Sequence, residues 1–106
     1  MRDLLLKTGR GTFHCIASTE IVYVERLKGR TRVFLKDKNL RVIIPFPDLL
    51  GQLDDNFIQC HRRFFVNLSY VKEFTTRNAK LKQGVVIPIG LTYKNEFINN
   101  MIINHV

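Results

Sequence analysis

The chain has 106 residues, 17 Lys and Arg against 9 Asp and Glu, and a formal net charge of +8. At 45 % hydrophobic and 25 % charged residues it has the make-up of an ordinary globular domain, which excludes disordered, collagen-like and low-complexity classes. No apolar run approaches the ~20 residues of a membrane-spanning helix, and two cysteines are too few for a disulfide scaffold. One domain over 1–106 is therefore expected. Leu4-Leu5-Leu6 is too short for a signal-peptide core and runs straight into Lys7. A cytoplasmic setting follows as an expectation.

In chain order, short β-branched and aromatic runs alternate with turn signals, the texture of strands. Leu4–Lys7 and Thr12–Ala17 read as strands joined at Gly9-Arg10-Gly11, and Ile21–Arg26 as a third in which Ile21, Tyr23 and Glu25 alternate with Val22 and Val24. Leu27–Arg30 reads as a hairpin loop, with Gly29 free to take a positive φ. Arg32–Leu35 and Arg41–Ile44 follow as strands around a polar turn at 37–39. Pro45–Leu53 is a short helix candidate, with Pro47 in its first turn and Leu49, Leu50 and Leu53 on one face. Phe57–Cys60, Phe64–Val66, Val71–Thr75, Ala79–Lys82 and Val85–Ile89 complete nine or ten strands, with turns at Arg77-Asn78 and Gln83-Gly84. Thr92–Asn104 closes the chain as a helix, with Thr92 as N-cap and Tyr93, Phe97 and Met101 on one face, flanked by Ile98 and Ile102. Phe13, Phe34, Phe57, Phe74 and Phe97 are expected in the core. The class is mainly β.

Charge is segregated. Arg26, Lys28, Arg30, Arg32, Lys36, Lys38 and Arg41 fall in one stretch with the single acid Asp37; Arg62-Arg63 form a second cluster, and Arg77, Lys80 and Lys82 a third. A basic face of this kind seeks an acidic partner, nucleic acid first. His14-Cys15 and Cys60-His61 offer a formal Cys2His2 zinc set, but neighbours on a strand point to opposite faces and the spacing fits no zinc module. Two free thiols are the simpler reading, and a Cys15–Cys60 disulfide is disfavoured in a reducing compartment. No phosphate-cradling glycine loop, metalloprotease motif or nucleophile elbow occurs, so neither catalysis nor a cofactor or metal is expected. Phe57 to Asn67 is the densest stretch: apolar anchors flank His61-Arg62-Arg63, a loop that could set Arg62 on a guanine edge and Arg63 on a phosphate. His61 reads as a brace for that loop and Asn67 as turn chemistry.

At this stretch the chain resembles the LytTR DNA-binding domain, the output module of LytR/AlgR-type bacterial response regulators. The carrying segments are Ile21-Val22-Tyr23-Val24-Glu25, the basic hairpin from Arg26 to Ile44, Leu53 to Phe57, Phe57 to Asn67, and Ile87-Pro88-Ile89-Gly90-Leu91-Thr92-Tyr93, together covering about residues 2–104. Gln59, Arg63 and Gly90 stand where the family usually has Arg, Ser and Ser, substitutions that bear on half-site preference. The resemblance implies an elongated sandwich of small, mostly antiparallel sheets, with one short helix between sheets and a C-terminal helix. It implies loops inserted into successive major grooves, here Lys28–Arg32, His61–Arg63 and Gly90–Lys94. Carried over, Arg62, Arg30, Thr31 and Lys94 contact bases. Lys28, Arg32, Lys36, Lys38, His61, Arg63, Lys80 and Lys82 contact the backbone or position the loops. The implied partners are promoter DNA with direct repeats, a second copy on that DNA, and a receiver domain with its histidine kinase; neither a receiver nor a membrane segment lies within these residues. A small basic RNA-binding β-barrel and a protein-interaction module with a basic face are the rival readings.

Overall fold

A computed structural model describes residues 3–104 of the chain; the side chain of Asn104 lies outside that description. Ten strands and two helices follow one another: β1 (Asp3–Gly9), β2 (Thr12–Ala17), β3 (Ile21–Leu27), β4 (Arg30–Leu35), β5 (Asn39–Val42), α1 (Phe46–Leu50), β6 (Phe57–His61), β7 (Phe64–Asn67), β8 (Val71–Phe74), β9 (Asn78–Leu81), β10 (Val86–Pro88) and α2 (Lys94–Asn104). Single 3-10 turns, Ser18–Glu20 and Leu68–Tyr70, lead into β3 and β8. All pairings are antiparallel. They make a two-stranded sheet β1-β2, a central sheet in the order β5-β4-β3-β7-β6, and a three-stranded sheet β10-β9-β8.

Both faces of the central sheet are covered, because its strands alternate apolar side chains to two cores. On one face Val24, Val33, Val42 and Phe65 pack with Leu4, Leu6 and Ile16 of the two-stranded sheet and with Leu49 of α1. On the other, Val22, Cys60 and Val66 pack with Val71, Ala79, Leu81 and Ile87 of the three-stranded sheet and with Phe97 and Met101 of α2. The result measures 41 × 29 × 24 Å, the elongated sandwich expected.

Two bulges set the parity of this packing. Ile21 lies opposite Leu35 and Tyr23 opposite Phe34, so Val22 is an extra residue in β3. Ile21 and Val24 therefore share one core while Val22 and Tyr23 turn to the other, in place of the simple alternation expected. Cys60 is the extra residue of β6, between Gln59 opposite Phe65 and His61 opposite Phe64.

Several boundaries differ from expectation. β4 starts at Arg30 rather than Arg32, leaving a turn of Lys28-Gly29 in which Gly29 takes φ +68°, the freedom anticipated for it. β5 starts at Asn39 and ends at Val42. α1 is shorter than Pro45–Leu53; its first bonds run from the Asp48 and Leu49 N–H groups to the Pro45 carbonyl, and the Gln52 amide beyond it is tied to both backbone groups of Leu5. In α2 the Phe97 N–H donates to the Tyr93 carbonyl, so Tyr93, not Thr92, caps the helix. Of the five phenylalanines expected in the core only Phe57 and Phe97 are buried. Phe13 is 54 % exposed on the outer face of the two-stranded sheet, under the Lys7 ammonium. Phe34 stacks half-buried on Tyr23, and Phe74 lies edge-on to Phe97 at the surface. Ile102 is exposed.

Candidate nucleic-acid interface

Three chain segments meet at one end of the central sheet. Leu27 lies opposite Arg30 in the β3–β4 hairpin and His61 opposite Phe64 in the β6–β7 hairpin, while Glu25 pairs with Phe64 across the sheet. Antiparallel pairing thus sends both turns, Lys28-Gly29 and Arg62-Arg63, out of the same end. A main-chain bond ties them: the Arg26 N–H donates to the Arg63 carbonyl at 2.7 Å. A second brings in the stretch that follows β10, where the Gly90 N–H donates to the Cys60 carbonyl at 2.8 Å. Backbone bonds hold this spacing without relying on long side chains, which is what rigid presentation of loops requires.

The middle loop has a brace. Nδ1 of His61 accepts the Arg63 N–H at 3.1 Å, and the ring lies against Phe64 with centroids 5.7 Å apart. The accepting Nδ1 fixes the neutral ring with its proton on Nε2. Partial burial first, then the Arg62 and Arg63 charges, hold the His61 pKa below 6.5. An unfolded chain takes up that proton more readily, so the bracing contribution is complete above about pH 6.5 and is lost as pH falls through the lowered value. An NMR titration of the free domain should show the His61 ring titrating below 6.5; a value at or above it would contradict the brace.

Arg62 and Arg63 are exposed at the tip. Beneath them Cys60 is fully buried, its Sγ–H directed at the Phe64 and Pro88 carbonyls, and desolvation pushes its pKa up to about 12. The thiol is thus a packing group of the loop's base. Cys15 is exposed on β2, in a different layer, and both cysteines are free. Iodoacetamide under native conditions should alkylate Cys15 and spare Cys60 until the domain is unfolded, which mass spectrometry reads directly.

Gly90 stands at the join of the second and third segments. A Cβ there would come within 3.2 Å of Cδ2 of Tyr93 and 3.6 Å of Cδ2 of His61. A serine at this place would press on the Tyr93 ring, so glycine lets the rings pack more closely. Beyond it Leu91 is 88 % exposed, an apolar side chain at the tip of a basic edge. Lys94 opens α2, half-buried, one turn further on.

The other expected site residues are dispersed. Arg30 is exposed beside the first turn. Thr31, expected to contact bases, is 7 % exposed: it is the second residue of β4, paired with Arg26 and Val42. Arg32 is held on the sheet, its Nη1 donating to Oδ1 of Asn39 at 2.6 Å. Lys36 and Lys38 lie in the β4–β5 turn at the opposite end of the sheet, where the Lys36 ammonium sits 6.0 Å above the Tyr70 ring. Lys82 is at that end too, bonded through its N–H to the Tyr70 carbonyl. Lys80 belongs to the three-stranded sheet and pairs with Glu73 at 3.9 Å, the one ion pair among the described residues. Three residues at the basic end were not singled out from sequence: Arg26, Leu91, and Arg77, whose carbonyl accepts the Ile89 N–H next to Gly90. The charge clusters contained Arg26 and Arg77, but only the pairing shows which end they occupy.

The chain is a stack of small antiparallel sheets that presents two basic turns and the segment after β10 at one end of its central sheet, with its longer helix packed on the core. The chain belongs to the LytTr DNA-binding domain family, whose model matches residues 11–101. It is 31 % identical over 87 residues to the sensory transduction protein LytT of Bacillus subtilis (strain 168), an alignment that takes in 76 % of this chain and 36 % of that protein. The chain thus spans about a third of the length of that relative. Its fold matches the LytTr DNA-binding domain of a Bacillus cereus response regulator with a TM-score of 0.75 at 19 % identity, over 96 % of this chain and 97 % of that one. The family is one of DNA-binding domains, not enzymes. No helix among the described residues is long and apolar enough to cross a membrane.

Proposed function

We propose that this domain reads duplex DNA through the Lys28-Gly29 turn, the Arg62-Arg63 turn and the Gly90–Lys94 segment, set in successive grooves, as the output unit of a bacterial response regulator. The observation that carries the reading is the pair of main-chain bonds that join the three segments at one end of the central sheet. Arg62 is the base reader, its planar fork matched to guanine O6 and N7. Arg30 and Lys94 flank it, and Lys28 and Arg63 neutralise phosphates. Leu91 supplies an apolar contact to a thymine methyl. Thr31, Lys36, Lys38, Lys80 and Lys82 take no part, by their burial or their distance from this end. A receiver domain under a histidine kinase, and a second copy on directly repeated half-sites in the cytoplasm, complete the working assembly.

Selection of bound duplexes from a random pool, at two salt concentrations, tests the reading. Enrichment of a short motif repeated at about one helical turn is the expected result. Binding at low salt with no enriched motif would leave a basic surface without readout, and preference for RNA or none for nucleic acid would sink the proposal. Within the enriched site, Leu91→Ala should cost about 1 kcal/mol. Replacing the contacted thymine by uracil should cost the wild-type domain the same and the variant nothing. Equal sensitivity of both proteins to uracil would remove Leu91 from the readout.

A further inference from the structure

β5 parts company with β4 after Val42, because the Ile43 N–H is taken by the Lys7 carbonyl of β1 at 2.8 Å. The parting opens a cleft of about 440 Å³ between the β3–β4 hairpin and the β5–α1 connection. Arg26, Arg30 and Arg41 line it, with Leu27, Gly29 and Phe46, and no carboxylate does. None of the three arginines has an acidic partner, since Lys80–Glu73 is the only ion pair among the described residues.

Arg26 is the most constrained of them. Its backbone is fixed by the bond to Arg63. Its guanidinium lies 4.4 Å above the Phe46 ring, which in turn packs on Phe65 with centroids 5.3 Å apart. A guanidinium held over a ring without a carboxylate partner keeps N–H donors for a phosphate, which it can grip in bidentate fashion. The cleft is also continuous with the loop tips: Arg26, Leu27 and Gly29 line both it and the adjoining hollow beside Lys28, Arg62 and Arg63.

We propose that this cleft seats a backbone phosphate of the bound duplex, with Arg26 as its anchor and Phe46 as the residue that positions Arg26. The inference rests on the DNA reading above. It extends the footprint to the β5–α1 side, beyond the three segments that enter the grooves. The phosphodiester is favoured over an acidic protein because the cleft borders the groove-reading turns and three arginines line it.

The test is the salt dependence of affinity for a selected duplex and for an unrelated one. Arg26→Gln should lower the slope of log affinity against log salt by about 0.9, the share of one phosphate. It should weaken both duplexes alike, by about tenfold at fixed salt. Phe46→Tyr should match the wild type. Phe46→Leu should lose several-fold, and Arg26→Gln with Phe46→Leu should bind no worse than Arg26→Gln alone. Arg26 is exposed, so its substitution leaves the fold intact and decides the question even where Phe46→Leu destabilises. An unchanged slope and affinity for Arg26→Gln overturns the cleft as a phosphate seat, as does a loss confined to the selected duplex. Additive losses in the double variant overturn the role of Phe46. A wild-type domain that binds neither duplex defeats the DNA reading itself.

Discussion

Asn67→Ala should lower the unfolding free energy by about 3 kcal/mol, the cost of stranding buried polar groups. Asn67 is 3 % exposed at the end of β7. Its Oδ1 accepts the Ser69 N–H at 3.0 Å, which caps the 3-10 turn, and Nδ2 of Asn56 at 2.6 Å. Its Nδ2 donates to the Ile21 carbonyl at 2.9 Å. One amide therefore joins β7, the turn into β8, the segment before β6 and the start of β3. Alanine leaves the Ile21 carbonyl buried without its donor and the turn without its cap. Asn67→Asp should also destabilise, since a carboxylate cannot donate to that carbonyl. Urea unfolding checks both: the midpoint should fall with the m-value unchanged. A shift worth under about 0.5 kcal/mol, the size of an ordinary surface change, would show that the amide does not join these elements.

What the sequence makes legible follows from what is local. Alternating β-branched residues, Gly29 in a turn and the Phe97–Met101 face are decided within a few residues, and these expectations hold. The two bulges are decided between strands, so nothing in Ile21-Val22-Tyr23 marks Val22 as the extra residue. Alternation likewise places Phe13, Phe34 and Phe74 on a face without telling whether another layer covers it. The same limit applies at the site. Thr31 falls within a basic segment that resembles a base-reading loop, yet β4 extends back to Arg30 and leaves Thr31 only 7 % exposed within the sheet. Lys36 and Lys38 belong to the densest cationic stretch and still sit at the far end, because a hairpin sends its two turns in opposite directions. His61 and Asn67, read from sequence as a brace and as turn chemistry, are placed in those roles by bonds within two residues.

Arg62→Ala should cost about 1–3 kcal/mol of affinity on the selected duplex and relax preference at one base pair. The structural ground is position. Arg62 stands exposed at the tip of a two-residue turn whose flanks are bound on both sides, by His61 to Arg63 and by Arg26 to Arg63. A side chain so mounted carries little packing energy, and the substitution should leave the urea midpoint unchanged. That separates it from Asn67→Ala, which acts through the fold. It also differs from Arg26→Gln, which should weaken every duplex alike, because a phosphate contact carries no sequence information whereas a bidentate base contact does. Lys38→Ala, at the other end of the sheet, serves as the control for charge alone. If loss of Lys38 weakens binding as much as loss of Arg62, long-range attraction and not readout governs affinity. If Arg62→Ala binds the selected duplex as the wild type does, the base reader lies elsewhere on this edge, and Arg30 and Lys94 become the next substitutions to measure.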